Sequence, residues 1–207
     1  MRSLLAAFLL VNGIAAAHAE LSTWKFRVLL DGREIGHHQY TLRGAHEERE
    51  LRSEAQFDVR VLFVSVYTYL HEALEHWDGN CLQSLISRTE TNGQSQSVRA
   101  AVSGNRLAVE RPEWRDEYQG CIMSFAFWNP QILNARRLLN SQTGELLPVT
   151  VVSQGEETIE VRGQPLTAQR HRVHAPQLTI DLWYANGEWV ALESPAEGGR
   201  RLRYELM

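Results

Sequence analysis

The sequence predicts a mainly β protein: an antiparallel meander that forms a barrel-like or strongly curved sheet, with one short helix packed on it. Apolar and polar side chains alternate over many short stretches, starting at residues 24–30, and a period of two is typical of strands with one buried face. Hairpin-turn pairs recur at Asp31-Gly32, Asn92-Gly93 and Asn186-Gly187. Strands at a spacing of about 8–12 residues, joined by tight turns, indicate a barrel or sandwich.

Residues 1–19 have the three parts of a signal peptide. Arg2 supplies a positive start, residues 4–11 are an apolar run, and Ala17-His18-Ala19 is an A-x-A cleavage site. Cleavage near Ala19 would leave residues 20–207 as a single β domain, which is a common length for one β fold. The mature protein is therefore predicted to be periplasmic or secreted.

Composition argues against two kinds of partner. The formal net charge is −4 at pH 7, so the chain lacks the basic excess of a nucleic-acid-binding protein, and no nucleic-acid partner is predicted. After the signal peptide no stretch approaches the ~20 apolar residues that a membrane-spanning helix requires, so no transmembrane segment is predicted. The sequence gives no indication of an oligomeric state.

Cys81 and Cys121 are the two cysteines of the chain. In the oxidising compartment that a signal peptide implies, the simplest interpretation is one disulfide between them. A redox-active pair or a soft-metal site is the alternative, although the chain has no C-x-x-C spacing and no Met and His residues grouped around either cysteine. The bond would close a loop of about 41 residues and stabilise the fold by roughly 4 kcal/mol on the loop-entropy model.

The remaining strands follow one another with polar turns between them, and residues 112–118 are interpreted as a loop. Each predicted strand shows alternation or β-branched and aromatic enrichment and ends at a turn signal. Strands are expected at about 35–42, 55–63, 82–91, 98–102, 106–110, 147–152, 158–162, 169–173, 179–185, 188–193 and 202–206.

The alternation is interrupted at residues 121–146, where a short amphipathic helix is predicted. Asn129 suits the N-cap, and Pro130 suits the first helical position. Apolar residues about one turn apart would give residues 130–139 one apolar face. A single helix in a β protein would plug or cover the open end of a barrel or curved sheet, or it would form a lid over a ligand cavity.

Residues 71–76 are ambiguous between strand and helix, and they hold the best candidate for catalysis. The stretch is similar to the H-E-x-x-H of zinc proteases, but Glu75 takes the place of the second histidine. On a helix, His71 with Glu75, or Glu72 with His76, would supply only two metal ligands, whereas a catalytic zinc needs three from the protein. No metal, cofactor or catalytic residue is therefore predicted, and the eight histidines are interpreted as surface residues.

Aromatic residues are more informative as a group. The chain has six tryptophans, which favour either the packed core of a barrel or an apolar cavity that holds a ligand. If a cavity exists, the aromatic run before the predicted helix and the apolar face of that helix should line it. The residues predicted to bind a ligand are Phe125, Phe127, Trp128, Leu133 and Trp183.

Several motifs are spread over the chain. They are W-x-F-x-V-x-L-D-G-x-x-I-G from Trp24, Cys81-Leu82 with Asn92-Gly93, Phe127-Trp128-Asn129-Pro130, residues 139–145, Leu182-Trp183-Tyr184 with Leu192-Glu193-Ser194, and R-x-R-Y-E-L from Arg201. Together they resemble a family of exported proteobacterial proteins that is classed only as a domain of unknown function. The resemblance implies an exported, mainly β protein and brings no catalytic residues.

The leading functional hypothesis is a non-enzymatic protein that binds or carries an apolar or amphipathic small molecule, such as a lipid, in the cell envelope. One alternative is an envelope hydrolase or isomerase with a site near His71, Glu72 and Glu75. Another is a structural partner of other envelope proteins. An open apolar cavity would favour the first, a polar cavity containing His71 the second, and a filled interior the third.

Overall fold

The computed structural model describes residues 20–61 and 64–207, so the predicted signal peptide lies outside the described residues. The protein is mainly β, as predicted, and its described part contains two short 3-10 turns, Pro130–Asn134 and Glu197–Gly199. The strands are β1 Leu21–Leu30, β2 Arg33–Ala45, β3 Glu48–Val61, β4 Val64–Asp78, β5 Cys81–Thr91, β6 Gln94–Ser103, β7 Arg106–Arg111, β8 Trp114–Gln119, β9 Arg137–Leu139, β10 Leu146–Pro148, β11 Thr150–Val161, β12 Gln164–Ala175, β13 Leu178–Ala185, β14 Glu188–Ala196 and β15 Arg200–Leu206.

Thirteen of these strands form one antiparallel sheet in the order β11-β12-β13-β14-β15-β1-β2-β3-β4-β5-β6-β7-β8. Each strand pairs with its neighbour in sequence, which confirms the predicted meander, and β15 joins the two halves by pairing with β1, Leu206 opposite Phe26. The edge strands β8 and β11 are not hydrogen-bonded to each other in the described part of the chain. The sheet is therefore barrel-like without being a closed barrel.

The three predicted hairpin turns are confirmed by their backbone angles. Asp31, Asn92 and Asn186 have φ of 50°, 51° and 51°, and the glycine that follows each has φ of 78°, 80° and 81°. Two consecutive residues with positive φ define the type I′ turn, whose twist matches that of the flanking strands. These turns fix the register of the strands on either side.

Some strand boundaries differ from the prediction. The polar stretch that was interpreted as a turn near Gly155 is a bulge inside the single strand β11, because an extra residue can be absorbed without breaking the pairing. The predicted loop 112–118 contains β8, which pairs with β7. Residues 71–76 lie in β4, where Tyr69, Ala73 and Trp77 are buried at even spacing.

The predicted helix over residues 130–139 is wrong. Asn129 does cap a turn by accepting a hydrogen bond from the Gln131 backbone N at 3.1 Å, but the turn ends at Ala135, which is extended with ψ of 146°. Leu139 belongs to β9 and donates its backbone N–H to Met123 O at 2.8 Å. The backbone N–H and C=O groups that a helix would have paired internally therefore form hydrogen bonds between strands instead.

Residues 121–149, here called the inner segment, lie against the inner face of the sheet. Ile122 O accepts a hydrogen bond from Leu82 N at 2.8 Å on β5, and the hydroxyl of Tyr184 on β13 donates to Phe127 O at 2.6 Å. Because one short segment contacts strands from both halves of the sheet, the sheet must curve around it. The main core lies in this space.

Cys81 and Cys121 form the predicted disulfide, with an S–S distance of 2.09 Å and a Cα–Cα distance of 4.9 Å. The bond fastens the beginning of the inner segment to the beginning of β5. No helix in the described residues has the length and apolar character needed to cross a membrane.

Candidate functional site

Small side chains at the centre of the inner face leave an empty space between the sheet and the inner segment. Two neighbouring rows of inward residues cross β2 to β5 in register: Tyr40, Ser53, Ala73 and Ser87 in one, and His38, Ala55, His71 and Thr89 in the other. Ser53 and Ala73 are too short to reach the inner segment. A cavity of about 330 Å³ remains there.

The cavity has a polar side and an apolar side. The polar side comes mainly from β2, β3, β4 and β15 and includes His38, Ser53, His71, Glu75 and Tyr204. The apolar side chains come from the inner segment and the other half of the sheet and include Phe125, Phe127, Leu178, Ile180, Leu192 and Leu202. The same elements also contribute the polar residues Ser124, Asn140, Ser141, Gln142 and Ser194. Among the described residues no Lys or Arg lines it.

His38 is the centre of a buried hydrogen-bond network. Its Nε2 lies 2.7 Å from Ser53 Oγ, and its Nδ1 lies 3.1 Å from the hydroxyl of Tyr40 and 3.3 Å from that of Tyr204. Burial first, and then the charges of His71 and His37, lower the pKa of His38 well below its usual value. The ring is therefore neutral at neutral pH and can both donate and accept a hydrogen bond.

His71 is buried beside it on β4. Its Nδ1 lies 2.8 Å from Thr89 Oγ1, and desolvation lowers its pKa to about 4. Its ring lies over that of Tyr69, with ring centroids 6.3 Å apart. Neither buried histidine therefore brings a positive charge to the cavity at neutral pH.

Glu75 is the acidic group of the cavity and is 4% exposed. Its Oε2 accepts hydrogen bonds from Trp77 Nε1 at 3.0 Å and from Ser124 Oγ at 3.1 Å. Desolvation raises the pKa of Glu75 to about 7, although these two hydrogen bonds act in the opposite direction. In the described part of the chain no side-chain donor reaches its other oxygen, Oε1.

The structure separates the residues of the predicted catalytic stretch. His71 and Glu75 face the cavity, whereas Glu72 is exposed on the outer face of β4. In a strand His71 and Glu75 have Cα atoms roughly 13 Å apart, too far to share one metal ion, and no group of three metal-ligating side chains occurs among the described residues. The interpretation of the histidines as surface residues is wrong for His38 and His71, which are 7% and 4% exposed.

Two of the five residues predicted to bind a ligand, Phe125 and Phe127, line the cavity. Trp128 lies elsewhere in the core, edge-on to Trp77 with ring centroids 5.5 Å apart. Leu133 is not in the cavity wall. Trp183 lies on the outer face of β13, with the guanidinium groups of Arg170 and Arg203 5.1 Å and 5.3 Å from its ring. Ligand binding by any of the five remains a prediction.

Sequence reasoning named His71 and Glu75 only for an alternative site, and it missed His38, Ser53 and Tyr204 on the polar side of the cavity. A signal was available, because His38 and Tyr40 occupy inward positions of an alternating strand, as do His71 and Glu75 in β4. Polar residues at positions that the alternation assigns to the core must find partners or line a space. The ambiguous structure of residues 71–76 concealed this pattern.

A larger depression of about 500 Å³ lies on the outer face of the sheet. Its walls include Lys25, His37, Glu54, Glu72, Arg88 and Glu90. These are mostly exposed charged side chains of both signs, which water solvates well. The smaller inner cavity is the better candidate site because its polar groups are buried and held by hydrogen bonds.

The fold and the cavity together define a curved-sheet β protein whose inner face borders a cavity of about 330 Å³. Residues 26–207 match a family model described as "Domain of unknown function (DUF6134)", and the chain belongs to that family. This confirms the resemblance to a domain-of-unknown-function family that the motifs suggested.

A solved structure has a similar fold. The crystal structure of a beta-barrel-like protein of domain of unknown function DUF1849 from Brucella abortus superposes with a TM-score of 0.65 at 10% sequence identity. The match covers 89% of this chain and 94% of that chain. No curated protein matches the sequence. The likeness at this identity is one of fold and supports the barrel-like description.

Proposed function

We propose that the protein binds or carries a small amphipathic molecule in the inner cavity, in the periplasm or outside the cell. The observation that carries this proposal is a cavity of about 330 Å³ on the inner face of the sheet that is lined by both polar and apolar side chains. Ligand cavities are commonly about 300–1,000 Å³, so the space suits one small molecule. A lipid with several long chains would be too large for it.

The two sides of the cavity indicate how such a molecule would lie. Its polar group would face His38, His71 and Glu75, where hydrogen-bonding atoms are buried and fixed. Its apolar part would lie against Phe125 and Ile180. This favours an amphipathic ligand over a wholly apolar one, because a wholly apolar molecule would offer no hydrogen bond to Oε1 of Glu75.

Native mass spectrometry of gently purified protein, followed by organic extraction, tests the proposal. We expect a discrete bound hydrophobe in the wild-type protein and none in Ala73→Leu, because the larger side chain fills the space. Leu74→Met is the matched control, since Leu74 is the next residue of β4 and faces away from the cavity. A wild-type protein that carries nothing and binds no added amphiphile would contradict the proposal.

Acid–base catalysis on the bound molecule is the second candidate, as an envelope hydrolase or isomerase. A buried carboxyl with a pKa of about 7 can give and take a proton near neutral pH, and Ser53 Oγ lies 2.7 Å from His38 Nε2. Incubation of the extracted ligand with the protein distinguishes the two functions. Conversion that disappears in Glu75→Gln would establish an enzyme, whereas unchanged ligand would favour the carrier.

A further inference from the structure

We infer that the inner cavity selects a ligand with a protonated amine, whose ammonium group pairs with Glu75. The inference rests on the proposed function, because it names the chemical class of the molecule that the cavity binds. The source of such an amine, whether a free alkylamine or the amino group of a lipid, is left to the ligand that the extraction recovers.

The carboxyl of Glu75 is buried, and no cation lies beside it among the described residues. Its two hydrogen-bond donors, Trp77 and Ser124, are both neutral and both serve Oε2. A buried carboxylate that lacks a counter-charge is strongly disfavoured, and pairing with a cation removes much of that penalty. An ammonium group placed beside Oε1 would supply the missing charge and up to three hydrogen-bond donors.

The other titratable groups of the cavity do not compensate Glu75. His38 and His71 are both buried and neutral, and each has a ring nitrogen within hydrogen-bonding distance of a neutral hydroxyl, Ser53 and Thr89 respectively. Since no Lys or Arg among the described residues lines the space, an anionic ligand would meet only Glu75 as a charged group. A carboxylate or phosphate head is therefore disfavoured.

The aromatic wall suits the same ligand. Rings of Tyr40, Tyr69, Phe125, Phe127 and Tyr204 line the cavity. The face of an aromatic ring attracts a nearby cation, and the attraction grows when water is excluded. The apolar chain of an amine would then extend toward Ile180 and Leu192, which also line the space.

Three probes with the same chain and different heads test the inference: octylammonium chloride, octanol and sodium octanoate. Binding to the full protein is measured by isothermal titration calorimetry at neutral pH, below the concentrations at which the probes form micelles. We expect octylammonium to bind about tenfold or more tightly than octanol, and octanoate to bind most weakly. Octanol has the same chain and a neutral hydroxyl head, so the difference between octylammonium and octanol reports the contribution of the positive charge.

Two variants assign the selectivity to one side chain. Glu75→Gln keeps the shape and one acceptor oxygen but removes the charge, so the preference for octylammonium over octanol should vanish while octanol still binds. Retained octanol binding also shows that the cavity of this variant is formed. Glu72→Gln removes a carboxylate from the outer face of the same strand and should keep the preference.

The outcomes separate this inference from the proposed function. If octanol or octanoate binds as tightly as octylammonium, or if Glu75→Gln keeps the amine preference, the inference is overturned and a small-molecule site remains. If none of the three probes binds the wild-type protein, both the inference and the proposed cavity function are overturned.

Discussion

Glu75 and Asp181 are two carboxyl groups with little solvent exposure, 4% and 6%, on opposite faces of one sheet. Asp181 on β13 accepts hydrogen bonds from Arg172 Nε at 2.7 Å and Nη2 at 2.8 Å, and from Arg170 Nη2 at 2.6 Å. Burial alone raises the pKa of Asp181, but the hydrogen bonds and charges of Arg172 and Arg170 outweigh it and lower the pKa. Glu75 has only neutral donors, so desolvation prevails and its pKa rises.

The comparison shows that burial alone does not identify a functional carboxyl group. Asp181 already has its counter-charges within the fold, and its arrangement is that of a structural ion-pair network on the outer face. Among the described residues Glu75 has no counter-charge, and it borders the inner cavity. A buried carboxyl group that the described residues leave without a counter-charge, beside a cavity, indicates a candidate ligand site.

The largest expected effect is the pH dependence of Glu75→Gln. The folded pKa of Glu75 is about 7, above its ordinary 4.5, so the folded state retains a proton that the unfolded chain releases. The wild-type protein therefore loses stability as the pH rises from 4.5 through about 7, by roughly 3 kcal/mol in total. Glutamine has no such proton, so the variant should gain stability relative to the wild type over that range.

Urea unfolding of both proteins across a pH series measures this difference. The buried histidines destabilise both proteins in acid, because the unfolded chain takes up protons that the buried rings do not. This effect is the same in both proteins and cancels in the difference between them. If the difference in the free energy of unfolding between the two proteins does not change with pH, Glu75 has the same pKa in the folded protein as in the unfolded chain, which would contradict the prediction.

Arg172→Met should destabilise the protein with the opposite pH dependence. Asp181 would lose two of its three hydrogen bonds from guanidinium groups and keep the one from Arg170. Breaking a buried pair costs about 3–5 kcal/mol, and because the Arg172 side chain is 34% exposed we expect about 2 kcal/mol at neutral pH. Because the pKa of Asp181 is lowered, the stability that its pairing with Arg172 contributes is present above the ordinary pKa of Asp. It is lost as the pH falls through the folded pKa of Asp181.

The same urea series checks the prediction for Arg172→Met. Its loss of stability should shrink as the pH falls through the folded pKa of Asp181, when the carboxyl is protonated and the pair is gone in both proteins. A loss that is constant with pH would assign the effect to packing of the arginine stem.

Ala73→Leu should abolish binding while changing stability by less than about 1 kcal/mol. Larger side chains destabilise well-packed cores by about 1–3 kcal/mol, but the added atoms here enter a space that is already empty. Calorimetry with octanol and urea unfolding measure the two effects. Strong destabilisation would show that the space around Ala73 is filled.

Glu72→Gln should have the smallest effect, within about 0.5 kcal/mol, with unchanged probe binding. Its side chain is exposed on the outer face of β4, so its charge is solvated. Urea unfolding and calorimetry on this variant sharpen the comparison with Glu75. An effect as large as that of Glu75→Gln would contradict the assignment of the two residues to opposite faces.

Local sequence patterns were sufficient for the sheet but not for the path of the inner segment. The Asp-Gly and Asn-Gly pairs and the alternation around them are local signals, and the hairpins they predicted are present. At Asn129 the cap signal was also correct, yet only a 3-10 turn forms there, and Leu139 lies in a strand that pairs with Ser124. Which distant backbone a leucine will pair with is a tertiary property that its neighbours in sequence do not encode.

The candidate site shows the same limit. Phe125 and Phe127 were found because aromatic residues stand out in a sequence, whereas the role of Glu75 depends on the short side chains of Ser53 and Ala73 beside it. Those residues are adjacent only once β3 and β4 are in register. The sequence could indicate an inward polar residue there, but not the empty space next to it.

The pairing of β15 with β1 has a consequence for how the protein folds. Every other pairing in the described thirteen-stranded sheet joins neighbours in sequence, so the half-sheets β1–β8 and β11–β15 can form from local contacts. Joining Phe26 to Leu206 requires closing a very long loop, which is slow. The cavity takes Glu75 from one half and Ile180 from the other, so we expect it to form only after the two halves have joined. A ligand that needs both walls would therefore slow unfolding and leave the folding rate unchanged.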